Sequence, residues 1–234
     1  MMKKTVAQNK ENLKTIINKN IELYGNECDL NHIDVSSIED MSYLFERLEF
    51  YGDISQWNVS NVKYMNAMFF ESKFNKDISE WDVSNVKNMG HMFYGSKFNG
   101  DISKWNVSKV EDMKCMFIAS IFNSSIGNWD VFNVKDMAYM FQSAKFNQDI
   151  SQWNISNVDD MEGMFNHSEF EHDLTRWTPF KLIKKQNMFE DCTAQVPYWS
   201  QVENTPDAVN KYLFNKRLQD NLTNDKQSNN RNKI

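Results

Sequence analysis

The stretch Asp53–Phe69 reads DISQWNVSNVKYMNAMF, and it returns as DISEWDVSNVKNMGHMF over Asp77–Phe93 and DISKWNVSKVEDMKCMF over Asp101–Phe117. The tryptophans fix the period: Trp57, Trp81, Trp105, Trp129, Trp153 and Trp177 stand 24 residues apart, and Ile33 holds the same phase one repeat earlier. A period between about 20 and 50 residues marks a stacked array, in which one unit cannot bury its apolar face alone but neighbours can do so together.

Reading down the columns gives each position a role. Three residues before the Trp position come Leu30, Ile54, Ile78, Ile102, Ile126, Ile150 and Leu174, and two after it come Val35, Val59, Val83, Val107, Val131 and Ile155. The resulting I-x-x-W-x-V matches a leucine-rich strand template, with W-x-V alternating as a short strand does. Beyond it the spacing changes. Val62, Met65, Met68 and Phe69 fall on one face of a helix, which predicts a short helix in every coil. Ser60 or Asn61 would cap it, and Asp112, Asp136 and Asp160 would sit in its first turn, where the helix dipole favours carboxylates. Phe74, Phe98, Phe122, Phe146 and Phe170 then open the next coils. Each fully buried side chain of this kind contributes roughly 1.5–3 kcal/mol, so stacking can offset the ordering entropy.

The fold class expected is therefore α/β: a leucine-rich-repeat-like solenoid with a short parallel strand and a short helix per 24-residue coil, and helical caps at both ends. Residues 1–28 form the N-terminal cap, with Leu13, Ile16, Ile17, Ile21 and Tyr24 on one helical face. Residues 29–193 hold seven repeats, the first and last degenerate. Residues 194–221 form the C-terminal cap, where Thr205-Pro206-Asp207 starts a helix presenting Val209, Tyr212 and Leu213. The polar stretch 222–234 is expected to be disordered.

Composition narrows the function classes. Seven Gly and three Pro leave little punctuation for a loop-rich all-β fold, whereas 14 Met, 7 Trp and 17 Phe supply a large core. A formal net charge of −6 argues against a general grip on nucleic-acid phosphates. Cys28, Cys115 and Cys192 are odd in number and far apart, so free thiols are expected. The start, MMKKTVAQNKENLKTIINKN, has no apolar segment after its lysines, and no run reaches the ~18 apolar residues of a membrane span. A cytoplasmic monomer is the default expectation, with export by a signal-less route left open.

Columns that could carry chemistry each have a simpler reading. Asp29, Asp53, Asp77, Asp101, Asp149 and Asp173 would stack as a ladder, which suggests calcium; capping backbone N–H groups in the turn is the plainer role. Asp34, Asn58, Asp82, Asn106, Asp130 and Asn154 alternate strictly, as expected if an amide donates to carboxylates on both sides. His32, His91, His167 and His172 share no column, and no nucleophile–base arrangement or phosphate loop occurs. No catalytic residue, metal ligand or cofactor is expected.

The quoted stretches, with their equivalents through Asp149–Phe165, resemble the BspA-like leucine-rich-repeat family, the Mycoplasma-type repeats of unknown function. The resemblance covers about residues 26–193. It implies a parallel sheet on a concave face, short helices on the convex face, and a bacterial protein engaged in adhesion or partner binding. The implied function is thus non-catalytic protein–protein interaction through the concave face. The alternative is a secreted or surface-associated effector or adhesin that contacts host proteins.

The expected binding residues are those whose identity the scaffold leaves free. Just before Trp the column runs Gln56, Glu80, Lys104, Asn128, Gln152 and Arg176, varying in charge while its neighbours repeat. Three after Trp it runs Ser60, Ser84, Ser108, Phe132, Ser156 and Phe180. Phe132 is the expected aromatic anchor for a partner, whereas Phe180 is expected to seal the C-terminal cap.

Overall fold

A computed structural model describes residues 5–203 and 205–231, with side chains to residue 221 apart from 206 and 220. The regular elements lie at the ends: β1 (Thr5–Val6), α1 (Lys10–Tyr24), β2 (Ile33–Asp34), α2 (Tyr198–Gln201) and α3 (Pro206–Arg231). Between them the chain is a repeat domain of turns and single parallel bridges. One bridge per repeat joins Asp40 to Tyr64, Tyr64 to Asn88, and so on through Asp112, Asp136, Asp160 and Lys184.

No α-helix forms over the Met-x-x-Met-Phe segments. The backbone explains why. Met65, Ala67, Phe69 and Glu71 donate their N–H groups to Asn88, Gly90, Met92 and Tyr94 of the next coil, while Met68, Phe70 and Ser72 close local turns onto Met65, Ala67 and Phe69. This alternation needs left-handed residues, and Ala67 (φ 54°) and Glu71 (φ 51°) supply them, as His91, Cys115, Ala119, Tyr139, Ser143 and His167 do further along. A helix would satisfy its own N–H groups within one segment; here half of them bind neighbouring coils. Successive turns with a left-handed residue between them reproduce the three-and-four spacing of apolar side chains that suggested a helix.

The Trp-x-Val segment differs too. Its in-and-out alternation holds, with Trp57 and Val59 buried and Asn58 exposed. Its backbone is not a strand, however: the N–H groups of Trp57 and Val62 close turns onto Ile54 and Val59. Side chains make the cross-coil bonds instead. Each of the six repeat indoles, Trp57 through Trp177, donates its Nε1 proton to the carbonyl three residues before the previous Trp position, as in Trp81 to Ile54 (3.2 Å) and Trp105 to Ile78 (3.1 Å). On the other side, Asn61, Asn85, Asn133 and Asn157 donate to the carbonyls of Ser36, Ser60, Ser108 and Phe132. The Asn of the F-N pair accepts the N–H of its successor, Asn75 from Asn99 and Asn99 from Asn123.

These bonds leave a core of stacked rings. Phe45, Phe69, Phe93, Phe117, Phe141, Phe165 and Phe189 stack with centroids 5.5 to 5.8 Å apart. A second file, Phe50 through Phe170, runs beside it at 6.1 to 6.3 Å. Met65, Met68, Met89, Met92 and their equivalents are fully buried among them, so the methionines fill the interior rather than a surface groove.

Both ends carry helices. Asn9 caps α1 by accepting the Asn12 N–H at 2.9 Å, Gly25 ends it at φ 84°, and Leu13 and Ile17 are buried against the first coil. β1 pairs in parallel with β2, Thr5 opposite Ile33, an element the sequence reading does not contain. At the far end α2 buries Trp199, and the buried Lys185 donates to the carbonyls of Ser200 and Val202. Thr205 Oγ1 accepts the Ala208 N–H, and Val209 and Leu213 pack inward. α3 runs on to Arg231 through most of the stretch expected to be disordered; residues 232–234 and 1–4 lie outside the described residues. Among the described residues no helix is long and apolar enough to cross a membrane.

Candidate partner-binding surface

The seven residues singled out by the sequence are all exposed, and holding one phase of the repeat sets the six before Trp along one side of the stack. Glu80 Oε1 and Lys104 Nζ meet at 3.1 Å across adjacent coils. Asn128 Nδ2 donates to the Ser103 carbonyl at 3.0 Å, and the Gln56 N–H donates to Asn31 Oδ1 at 2.8 Å. The column therefore offers a mixed-charge face, whose exposed Glu80–Lys104 pair contributes little to stability.

Phe132 occupies its place without disturbing the backbone. Its N–H donates to Asp130 Oδ1 at 3.1 Å and its carbonyl accepts from Asn157, just as Ser84 bonds to Asp82 and Ser60 accepts from Asn85. Only the side chain differs, and it is 44% exposed, in ring contact with no aromatic residue among those described. Phe180 is 47% exposed, so it does not seal the C-terminal cap.

Phe180 instead lines a cleft of about 770 Å³ between the last coil and α3. Arg176 and Thr178 share its wall on the coil side; Asn210, Leu213, Phe214, Lys216 and Arg217 face them from α3. Of the residues expected to bind, only Arg176 lies here. The sequence reading places Leu213 on the apolar face of the C-terminal cap and gives α3 no binding role, because nothing local says that α3 leaves a cleft beside the last Trp; the apolar–basic run Leu213-Phe214-Asn215-Lys216-Arg217 was the available signal.

The acidic columns do structural work. Asp53, Asp77, Asp101, Asp149 and Asp173 each accept the N–H two residues on, at 2.8 or 2.9 Å, which holds several of these carboxyls below the usual range. The alternating column behaves likewise: Asn58, Asn106 and Asn154 accept from the Ser two residues on, and no amide of these three donates to a flanking carboxylate among the described residues. Asp112, Asp136 and Asp160 lie on the line of parallel bridges, not in a helix turn. Asn88 Nδ2 donates to Asp112 and Lys184 Nζ to Asp160, both at 2.8 Å, closing the file at each end. Burial, with Asp160 and Asp112 on either side, pushes the Asp136 carboxyl up. Among the described residues no group of three or more His, Cys, Asp or Glu is arranged to hold a metal ion.

Cys28 and Cys115 are buried free thiols; burial pushes Cys115 up to about 11, which suppresses the reactive thiolate. No curated protein and no solved structure matches this chain. A family model described as "Mycoplasma protein of unknown function, DUF285" matches residues 11–121 and again 97–202, so this stacked, 24-residue repeat belongs to the DUF285 family.

Proposed function

We propose that the chain is a non-catalytic binding module, a solenoid of the BspA-like type that acts as a monomer and holds a protein partner along the face bearing Gln56, Glu80, Lys104, Asn128, Phe132, Gln152 and Arg176. The observation that carries this reading is Phe132: a large apolar side chain, 44% exposed, at a place where five other coils carry serine. Aromatic residues of this kind dominate interface energetics, and the surrounding polar columns supply a rim. An interior filled by repeated Trp, Met and Phe leaves these columns free to vary without loss of the fold.

The test is affinity capture from the source organism with the wild-type chain and with Phe132→Ser. Specific capture should be lost in the variant while its melting temperature stays within a few degrees. Equal loss of capture and stability would make Phe132 a structural residue and remove the main support for the reading.

A further inference from the structure

We infer that the cleft between the last coil and α3 binds an acidic peptide segment carrying a bulky apolar side chain. This rests on the partner-binding reading and names the chemistry of the partner. The cleft volume, about 770 Å³, falls within the range of roughly 300–1,000 Å³ typical of ligand sites. Its apolar surface is wet: Phe180 is 47% and Phe214 63% exposed, above a floor formed by the buried Leu213. One further turn along α3, Leu218 is also exposed.

Charge complementarity selects the occupant. Arg176, Lys216 and Arg217 line the cleft, no carboxylate does among the described residues, and the chain as a whole is acidic at −6. Lys216 Nζ is tied to the Thr175 carbonyl at 3.3 Å, while neither Arg176 nor Arg217 forms an ion pair among the described residues. Asp149 and Asp173 feel the charge of Arg176, but both already accept backbone N–H groups, from Ser151 and Thr175. Two planar guanidinium groups with no ion pair among the described residues suit a ligand with at least two carboxylates, since each fork can take one in a bidentate pair.

A peptide fits better than an anionic membrane. The apolar and cationic groups line a concave cleft that a flat bilayer cannot enter, and the net charge of the chain opposes approach to an anionic surface. On the α3 wall Asn210 has a buried side-chain oxygen without a hydrogen-bond partner among the described residues. Turning its amide into the cleft would let it accept a backbone N–H, which a peptide supplies and a lipid tail does not.

The probe is a fluorescein-labelled peptide of sequence Glu-Glu-Phe-Glu-Glu-Leu-Glu, titrated by fluorescence anisotropy against the full chain. Saturable binding is expected, weakening as salt rises. It should fall at least about tenfold with a peptide carrying Gln for every Glu, with one carrying Ala for Phe and Leu, with the double variant Arg176→Gln/Arg217→Gln, and with Phe180→Ser. All three substituted residues are exposed, so the variants should keep the wild-type melting temperature. Absence of saturable binding, equal binding of the Gln peptide, or indifference to the cleft variants would overturn the inference. So would either of two other occupants: binding to phosphatidylserine vesicles that the double variant abolishes while the peptide fails to bind, or a concentration-dependent dimer in sedimentation that Phe180→Ser dissociates. If the probe fails while Phe132→Ser still abolishes partner capture, the cleft is ruled out and the binding-module reading stands.

Discussion

Trp105 Nε1 lies 3.1 Å from the carbonyl oxygen of Ile78, and that bond crosses from one coil to the one before it. Because the Trp-x-Val backbone is not in a sheet, indole N–H groups do there what a strand ladder does elsewhere. Trp105→Phe keeps an aromatic ring in the core but leaves the Ile78 carbonyl without its donor and opens a void. The expected loss is about 2–4 kcal/mol in denaturant unfolding, combining an unsatisfied buried acceptor with lost volume. A loss below about 1 kcal/mol would mean that the stacked rings, not the indole bonds, set the coil spacing.

Asp136 sits between Asp112 and Asp160 with its carboxyl pushed up, first by burial and then by its acidic neighbours. An acid raised in the folded state favours folding while protonated, and that contribution is lost as pH rises through its folded value. At neutral pH the ionised Asp136 therefore costs stability. Asp136→Asn keeps an acceptor for the Ala138 N–H and can donate to a neighbour as Asn88 does to Asp112. The variant should melt higher than wild type at pH 7, with the gap closing toward about pH 4, where carboxyls protonate. Melting curves across that range check the sign.

Left-handed backbone at Ala119 (φ 50°) and Gly163 (φ 58°) predicts opposite outcomes for opposite exchanges. Ala119 is exposed, and a Cβ in this region costs roughly 1–2 kcal/mol, so Ala119→Gly should gain up to about 1 kcal/mol after the added chain entropy of glycine. Gly163→Ala would place a Cβ 2.5 Å from ring carbons of Tyr139, whose hydroxyl is held by Glu162. The ring cannot yield without breaking that bond, and a loss of about 2 kcal/mol or more is expected in the same unfolding assay.

Lys185 is buried, and its Nζ donates to Ser200 at 2.7 Å and Val202 at 2.6 Å, pinning the carbonyls at the end of α2. Lys185→Met should release α2 and the start of α3 before the stack melts. Hydrogen exchange followed by mass spectrometry would then show faster exchange in peptides covering residues 194–213, with coils around Trp57 to Trp153 unchanged. Uniform acceleration along the chain would instead make Lys185 part of one cooperative unit.

Much of this architecture is legible in the letters. The 24-residue phase of Trp57 through Trp177 yields stacking, burial and the exposed columns, because identical units must repeat identical contacts. The helix start at Thr205 follows from capping chemistry within a few residues. The Met-x-x-Met-Phe segments were not legible, since apolar spacing reports which side chains face inward but not where N–H groups go. Ala67 at φ 54° carries no sign of its left-handed backbone, which the bond from its N–H to Gly90 in the next coil imposes. The sequence by itself determined the period, the core and the exposure of Gln56 through Arg176. Only the tertiary structure decided that backbone bonds from left-handed turns, together with indole and amide side chains, join those coils in place of regular strands and helices, and that Phe180 and Arg176 face Phe214 and Arg217 across a cleft. The physical reason is one of range: propensity and pattern act within a coil, whereas hydrogen-bond partners 24 residues away, and the docking of α3, exist only once the coils have stacked.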